Sequence, residues 1–95
     1  MSTMPEKITG GVDTHLDVHV AAALNSLGAL LEVASFPATG PGYRALLEWL
    51  RSFGEVELIG VEGTGSYGAG LTRHLLEEGV RVVEVDQPNR QKRRR

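Results

Sequence analysis

Residues 55–85 constrain the fold more than any other part of the chain. They read strand, helix, strand: EVELIGV, then Leu71, Leu75 and Leu76 at helical spacing, then VRVVEV. A unit this short must cross over one face of a sheet and lay its two strands parallel. Ahead of it lie three more apolar stretches. Residues 8–13, ITGGVD, form a short run closed by a carboxylate. In residues 17–24, DVHVAAAL, the apolar set Val18, Val20, Ala22 and Leu24 alternates with Asp17, His19, Ala21 and Ala23, the pattern of a strand with one buried face. Asn25, Ser26 and Gly28 suit a hairpin, and ALLEVASF, residues 29–36, resumes as a strand. Three strands joined by short turns predict an antiparallel meander.

Residues 37–42 interrupt this pattern, and Pro41 suits a first helical position. Tyr43, Leu46, Leu47, Leu50 and Phe53 then recur at helical spacing, with Gly54 as the stop. Ser66 is the expected cap of a second helix that ends at Gly79. The expected order is β-β-β-α-β-α-β, an α/β mixed sheet with the first, fourth and fifth strands as parallel neighbours.

A chain of 95 residues suits one domain, read as residues 7–89, with residues 90–95 as a basic tail disordered in solution. At this length roughly 60–65% of the unfolded surface is buried, so the core is modest. The chain has no cysteine, which excludes disulfides and thiolate metal sites. No apolar run approaches the ~20 residues of a membrane helix, and a cytoplasmic protein is the simplest reading. The net charge of -2 conceals an asymmetry. Five of the ten basic residues are Arg90, Lys92, Arg93, Arg94 and Arg95; the first 89 residues carry the other five against all twelve acids, a net of -7. An acidic body with one basic end fits cation binding, with phosphate contacts concentrated at an edge.

GVEGTGSYG, residues 60–68, holds Gly63, Gly65 and Gly68 in the register G-x-G-x-x-G between a strand and a helix. Glu84, 21 residues beyond Gly63, stands where a ribose-binding acid of a dinucleotide fold would. Two features weaken that reading. A meander and a helix precede the motif, and Glu62 would repel a pyrophosphate placed beside it. The competing reading starts from Asp13 and Glu62, each the first ionisable residue after an apolar strand. On parallel neighbours ~4.8 Å apart, both carboxylates leave one edge of the sheet and can share a hard cation, Mg²⁺ or Mn²⁺. Gly63 and Gly65 then provide clearance for a phosphate backbone.

GVDTHLDVHVAAAL, ELIGVEGTGSYG and VVEVDQPNRQKRRR together resemble the N-terminal part of the DEDD-type transposases of insertion sequence 110. The resemblance runs from Ile8 onward. It implies a ribonuclease-H-like, RuvC-like fold and a DNA recombinase acting by metal-assisted phosphoryl transfer. It implies Asp13 and Glu62 as the first two of four acidic ligands of Mg²⁺ or Mn²⁺. DNA and a structured guide RNA are the implied partners, with a homo-oligomer allowed for the full-length protein. In the family the third and fourth acids follow a basic segment of this kind, and a nucleophilic serine lies further on. The expectation is therefore a fold incomplete at the C-terminus and a fragment unable to recombine DNA.

Other residues carry plainer readings beside sharper ones. Asp17 is expected to start a strand, and Asp86 is weighed as a stand-in for the third acid. Glu84 is expected to be a solvated strand residue. His15 and His19 are expected at the surface or in a turn, and His74 in a structural role. Tyr67 either packs against the helix start or stacks on a sugar or base. Tyr43, Trp49 and Phe53 suit core or partner surface. The basic tail is the candidate for phosphate contacts. Rival functions are one half of an actin-like or sugar-kinase ATPase, weakened because DTHLD lacks the glycine of a phosphate-cradling hairpin, and a non-catalytic module whose helices form a dimer face.

Overall fold

The computed structural model describes residues 6–85. Its elements are β1 (Lys7–Thr14), β2 (Val18–Leu24), β3 (Leu30–Pro37), α1 (Gly40–Arg51), β4 (Glu55–Val61), α2 (Ala69–Glu77) and β5 (Val82–Glu84). The strands form one mixed sheet in the order β3-β2-β1-β4-β5. β1 runs antiparallel to β2, and β2 to β3, whereas β1–β4 and β4–β5 are parallel. The result is an α/β fold with a five-stranded mixed sheet and two helices, compatible with a ribonuclease-H-like fold.

Local chemistry explains the element ends. Thr39 caps α1, its Oγ1 accepting from the Gly42 amide at 3.1 Å, and Pro41 falls at the second helical residue rather than the first. In the β2–β3 turn the Asn25 side chain accepts from the amides of Leu27 and Ala29. α2 begins later than its sequence suggests. Its cap is Gly68, with no side-chain hydrogen bond, and Ser66 instead belongs to the turn before it. At the other end Gly79, at φ 79°, lets its own amide and that of Val80 return to the Leu76 and Leu75 carbonyls.

Both helices pack on one face of the sheet. Leu46, Leu47 and Leu50 of α1 and Leu71 and Leu75 of α2 meet Ile8, Val12, Ile59 and Val61 in a single buried cluster. Leu76, expected on that apolar stripe, is exposed. Trp49 packs against Phe36 and Phe53 at ring distances of 5.5 and 5.2 Å, extending the core toward β3.

β2 alternates as its sequence implies, but the opposite set is buried. His19, Ala21 and Ala23 are inaccessible beneath the helices, while Val18 is exposed and Val20 and Ala22 are half-buried. Register gives the reason. Val12 pairs with Ala21 and Asp13 with Val20, so the valine face of β2 is the face that carries Asp13. His19 is thus a core residue and not the surface residue expected. Its ring stacks on Tyr43 at 5.8 Å and 7°, and burial lowers its pKa from the ordinary 6.5. His74 packs against Tyr43 from α2, with ring centroids 6.2 Å apart.

Candidate metal centre on the open sheet face

The parallel seam between β1 and β4 brings the two acids together. Gly11 pairs with Gly60 and Val12 with Val61, which makes Asp13 and Glu62 neighbours one step further along. Strand alternation turns Val12 and Val61 into the core, so the two carboxylates project from the opposite, helix-free face. The Glu62 amide donates to the Val12 carbonyl at 3.1 Å, continuing the ladder, and the Thr14 hydroxyl donates to the Glu62 carbonyl at 2.8 Å. Both acids are half-buried. His15 Nε2 lies 3.2 Å from Asp13 Oδ2, with both side chains about half exposed.

Asp13 and Glu62 line an open groove of about 350 Å³. Gly11 and Gly60 sit side by side in it, and Val20, Val33 and Val85 supply its apolar surface. Ala22, opposite Gly11, completes the lining, and Val20 lies opposite Asp13.

The glycine segment serves as a turn. Gly63, at φ 66°, reverses the chain directly after Glu62, and its carbonyl accepts from the Ser66 and Gly68 amides. A β-carbon at Gly63 would lie 2.8 Å from Ser66 Oγ and 3.3 Å from Thr14 Oγ1, so glycine there is required by the turn itself. Gly65 differs: among the described residues a β-carbon there would meet nothing within 4 Å. Tyr67 is 56% exposed, leaving most of its ring free of the helix start.

Glu84 is the exposed strand residue expected, but it is also tied to the glycine turn. Its carboxylate accepts from the Gly63 amide at 3.2 Å, from the Thr64 amide at 3.0 Å, and from the Thr64 hydroxyl. The Thr64 hydroxyl, then the Thr64 and Gly63 amides, hold its carboxyl below the ordinary range. These amides are the donors that a dinucleotide pyrophosphate would use. A carboxylate already occupies them, which argues against the dinucleotide reading. The 21-residue spacing from Gly63 was the available signal for Glu84, but it pointed to a ribose contact. Thr14 gave no signal, because its partner is a backbone carbonyl 48 residues away.

Asp17 is exposed just before β2, and its carbonyl accepts from the Ala38 amide, in keeping with a strand-start role. Asp86, Arg90, Lys92, Arg93, Arg94 and Arg95 lie outside the described residues.

The sequence pattern of a DEDD-type transposase family of insertion sequence 110 matches residues 10–95. The chain belongs to this transposase family. The match spans nearly the whole sequence and includes both acids, the glycine turn and Glu84. No curated protein matches the chain. Among the described residues, no helix of this transposase chain is long and apolar enough to cross a membrane.

The donor set fits a hard divalent cation. Mg²⁺ is commonly held by one or two carboxylates plus substrate phosphates and keeps several waters. Among the described residues no group of three or more His, Asp or Glu side chains converges. Asp13 and Glu62 supply two carboxylates of the kind such an ion takes, and no third protein ligand among the described residues.

Proposed function

We propose that Asp13 and Glu62 jointly hold Mg²⁺ or Mn²⁺ in a ribonuclease-H-like transposase domain that acts on DNA by metal-assisted phosphoryl transfer during transposition. The observation that carries this reading is the Val12–Val61 register, which sets the two acids side by side on the helix-free face. The sheet order, with β1 between an antiparallel meander and two parallel strands, supports the ribonuclease-H-like assignment. When bound, such an ion activates a nucleophile and stabilises a leaving oxygen at phosphorus.

The chain's own residues supply position. The Val12 carbonyl and the Thr14 hydroxyl fix the Glu62 backbone from the β1 side. Gly11 and Gly60 leave the groove beside the acids free of side chains at those two positions, which gives a sugar–phosphate backbone room to approach. Gly63, Gly65 and the exposed Tyr67 form the nearest turn, suited to contact with a strand of DNA. In this reading Arg90, Lys92, Arg93, Arg94 and Arg95 add phosphate contacts, and a structured guide RNA is a second nucleic-acid partner.

A Mn²⁺ titration followed by the resonance signal of the free ion tests the reading. The parent chain should bind, and Asp13→Ala and Glu62→Ala should each weaken binding at least about tenfold. Equal binding by all three proteins would place the ion elsewhere and end the proposal.

A further inference from the structure

Glu84 stands on the edge strand β5, exposed to solvent, yet its carboxylate is fully engaged with the turn that follows Glu62. Three donors from two consecutive residues converge on it. Backbone pairing fixes where that carboxylate is held. The Ile59 amide donates to the Arg81 carbonyl at 2.9 Å, and the Val85 amide to the Val61 carbonyl at 3.0 Å, so β5 is tied to β4 up to the residue preceding Glu62. The turn itself pivots on Gly63, whose left-handed backbone sets the direction in which the chain leaves Glu62. On one side Val12 and Thr14 hold the Glu62 peptide; on the other, Glu84 holds the next two residues.

We infer that Glu84 is a positioning residue, clamping the Gly63–Thr64 turn so that the Glu62 carboxylate is presented beside Asp13. The inference rests on the metal reading of Asp13 and Glu62. It assigns a role to an acid that would not itself touch the ion. Outer partners of this kind commonly change metal affinity by about 10–100-fold when removed. It also accounts for a G-x-G-x-x-G turn that is closed to anions: the turn's amides are occupied by the side chain that orients it.

The test compares the parent 95-residue chain with E84A, E84Q and D13A, using Mn²⁺ alone as the probe. Mn²⁺ affinity, metal-free amide exchange at Gly63 and Thr64, and the unfolding midpoint are read for each. E84A should bind Mn²⁺ about tenfold more weakly. Its Gly63 and Thr64 amides should exchange faster, while its midpoint stays near the parent's. E84Q keeps an acceptor oxygen for Thr64 and should lie closer to the parent than to E84A. Parent-like affinity in E84A, with binding lost in D13A, would overturn the positioning role and leave the metal reading standing. E84Q as weak as E84A while its Gly63 and Thr64 amides exchange as slowly as the parent's would show that Glu84 acts by its charge, which also overturns the clamp. Absence of Mn²⁺ binding by the parent would remove the metal reading and the inference together.

Discussion

The two faces of the sheet use the same strands for different purposes. Toward the helices, Ile8, Val12, Ile59 and Val61 are sealed beneath Leu46, Leu50, Leu71 and Leu75. The only buried polar or charged side chain among the described residues is also there, His19. On the other face, the same strands present Gly11, Asp13, Val20, Ala22, Gly60 and Glu62 in a half-buried groove. The buried core is concentrated on the first face and the paired carboxylates on the second. Because strand residues alternate, each acid is locked in place by an apolar neighbour buried on the opposite side. Val12 anchors Asp13, and Val61 anchors Glu62.

The sharpest way to break this comparison is to damage the helix face. Leu50→Ala should cost roughly 2–5 kcal/mol in urea unfolding, because Leu50 is fully buried between α1 and the sheet. Asp13→Ala should change the same measurement by less than about 1 kcal/mol. Comparable losses in both would mean that the faces are not separate in their energetics.

The second effect is pH-dependent. His19 is inaccessible, and its folded pKa is lowered chiefly by burial, against a smaller raising effect of the Val18 backbone, and also by His15. The unfolded chain then binds the proton more readily. Stability is therefore full above about pH 6.5 and is lost as pH falls from there toward the folded value. One proton limits the slope to about 1.4 kcal/mol per pH unit. Urea unfolding between pH 7.5 and 5 should show this loss in the parent and a flatter profile in His19→Leu. Parallel profiles would remove His19 as the cause.

On the open face the effects are smaller. Thr14→Val should cost about 1 kcal/mol, since it deletes the hydroxyl that donates to the Glu62 carbonyl. It should also weaken Mn²⁺ binding, which a hydrogen bond serving stability alone would leave unchanged. Gly11→Ala should be nearly neutral, within about 0.5 kcal/mol, because a β-carbon there meets nothing within 4 Å. A large loss would show that something else fills the groove.

Much of this arrangement was legible in the sequence because it rests on local signals. The runs ending at Asp13 and Glu62 are apolar up to the acid, and the strand–helix–strand stretch requires parallel pairing. What could not be read depends on tertiary register. The valines of β2 are more hydrophobic than its alanines, yet the alanines lie under the helices, because Ala21 pairs with Val12. Ser66 carries cap chemistry, but the turn pivoting on Gly63 delays the helix to Ala69. The pairing of β4 with β5 was legible, but the β4–β5 register that sets Glu84 against the Gly63–Thr64 amides was not.

The proposed joint grip of Asp13 and Glu62 on one ion has a direct test. Substoichiometric Mn²⁺ added to the ¹⁵N-labelled chain should broaden the amide resonances of Thr14 and Gly63 together, and Asp13→Asn should abolish both effects at once. Broadening that reaches only one of these residues, or that centres on the exposed pair Glu77 and Glu78, would contradict a shared site on the open face.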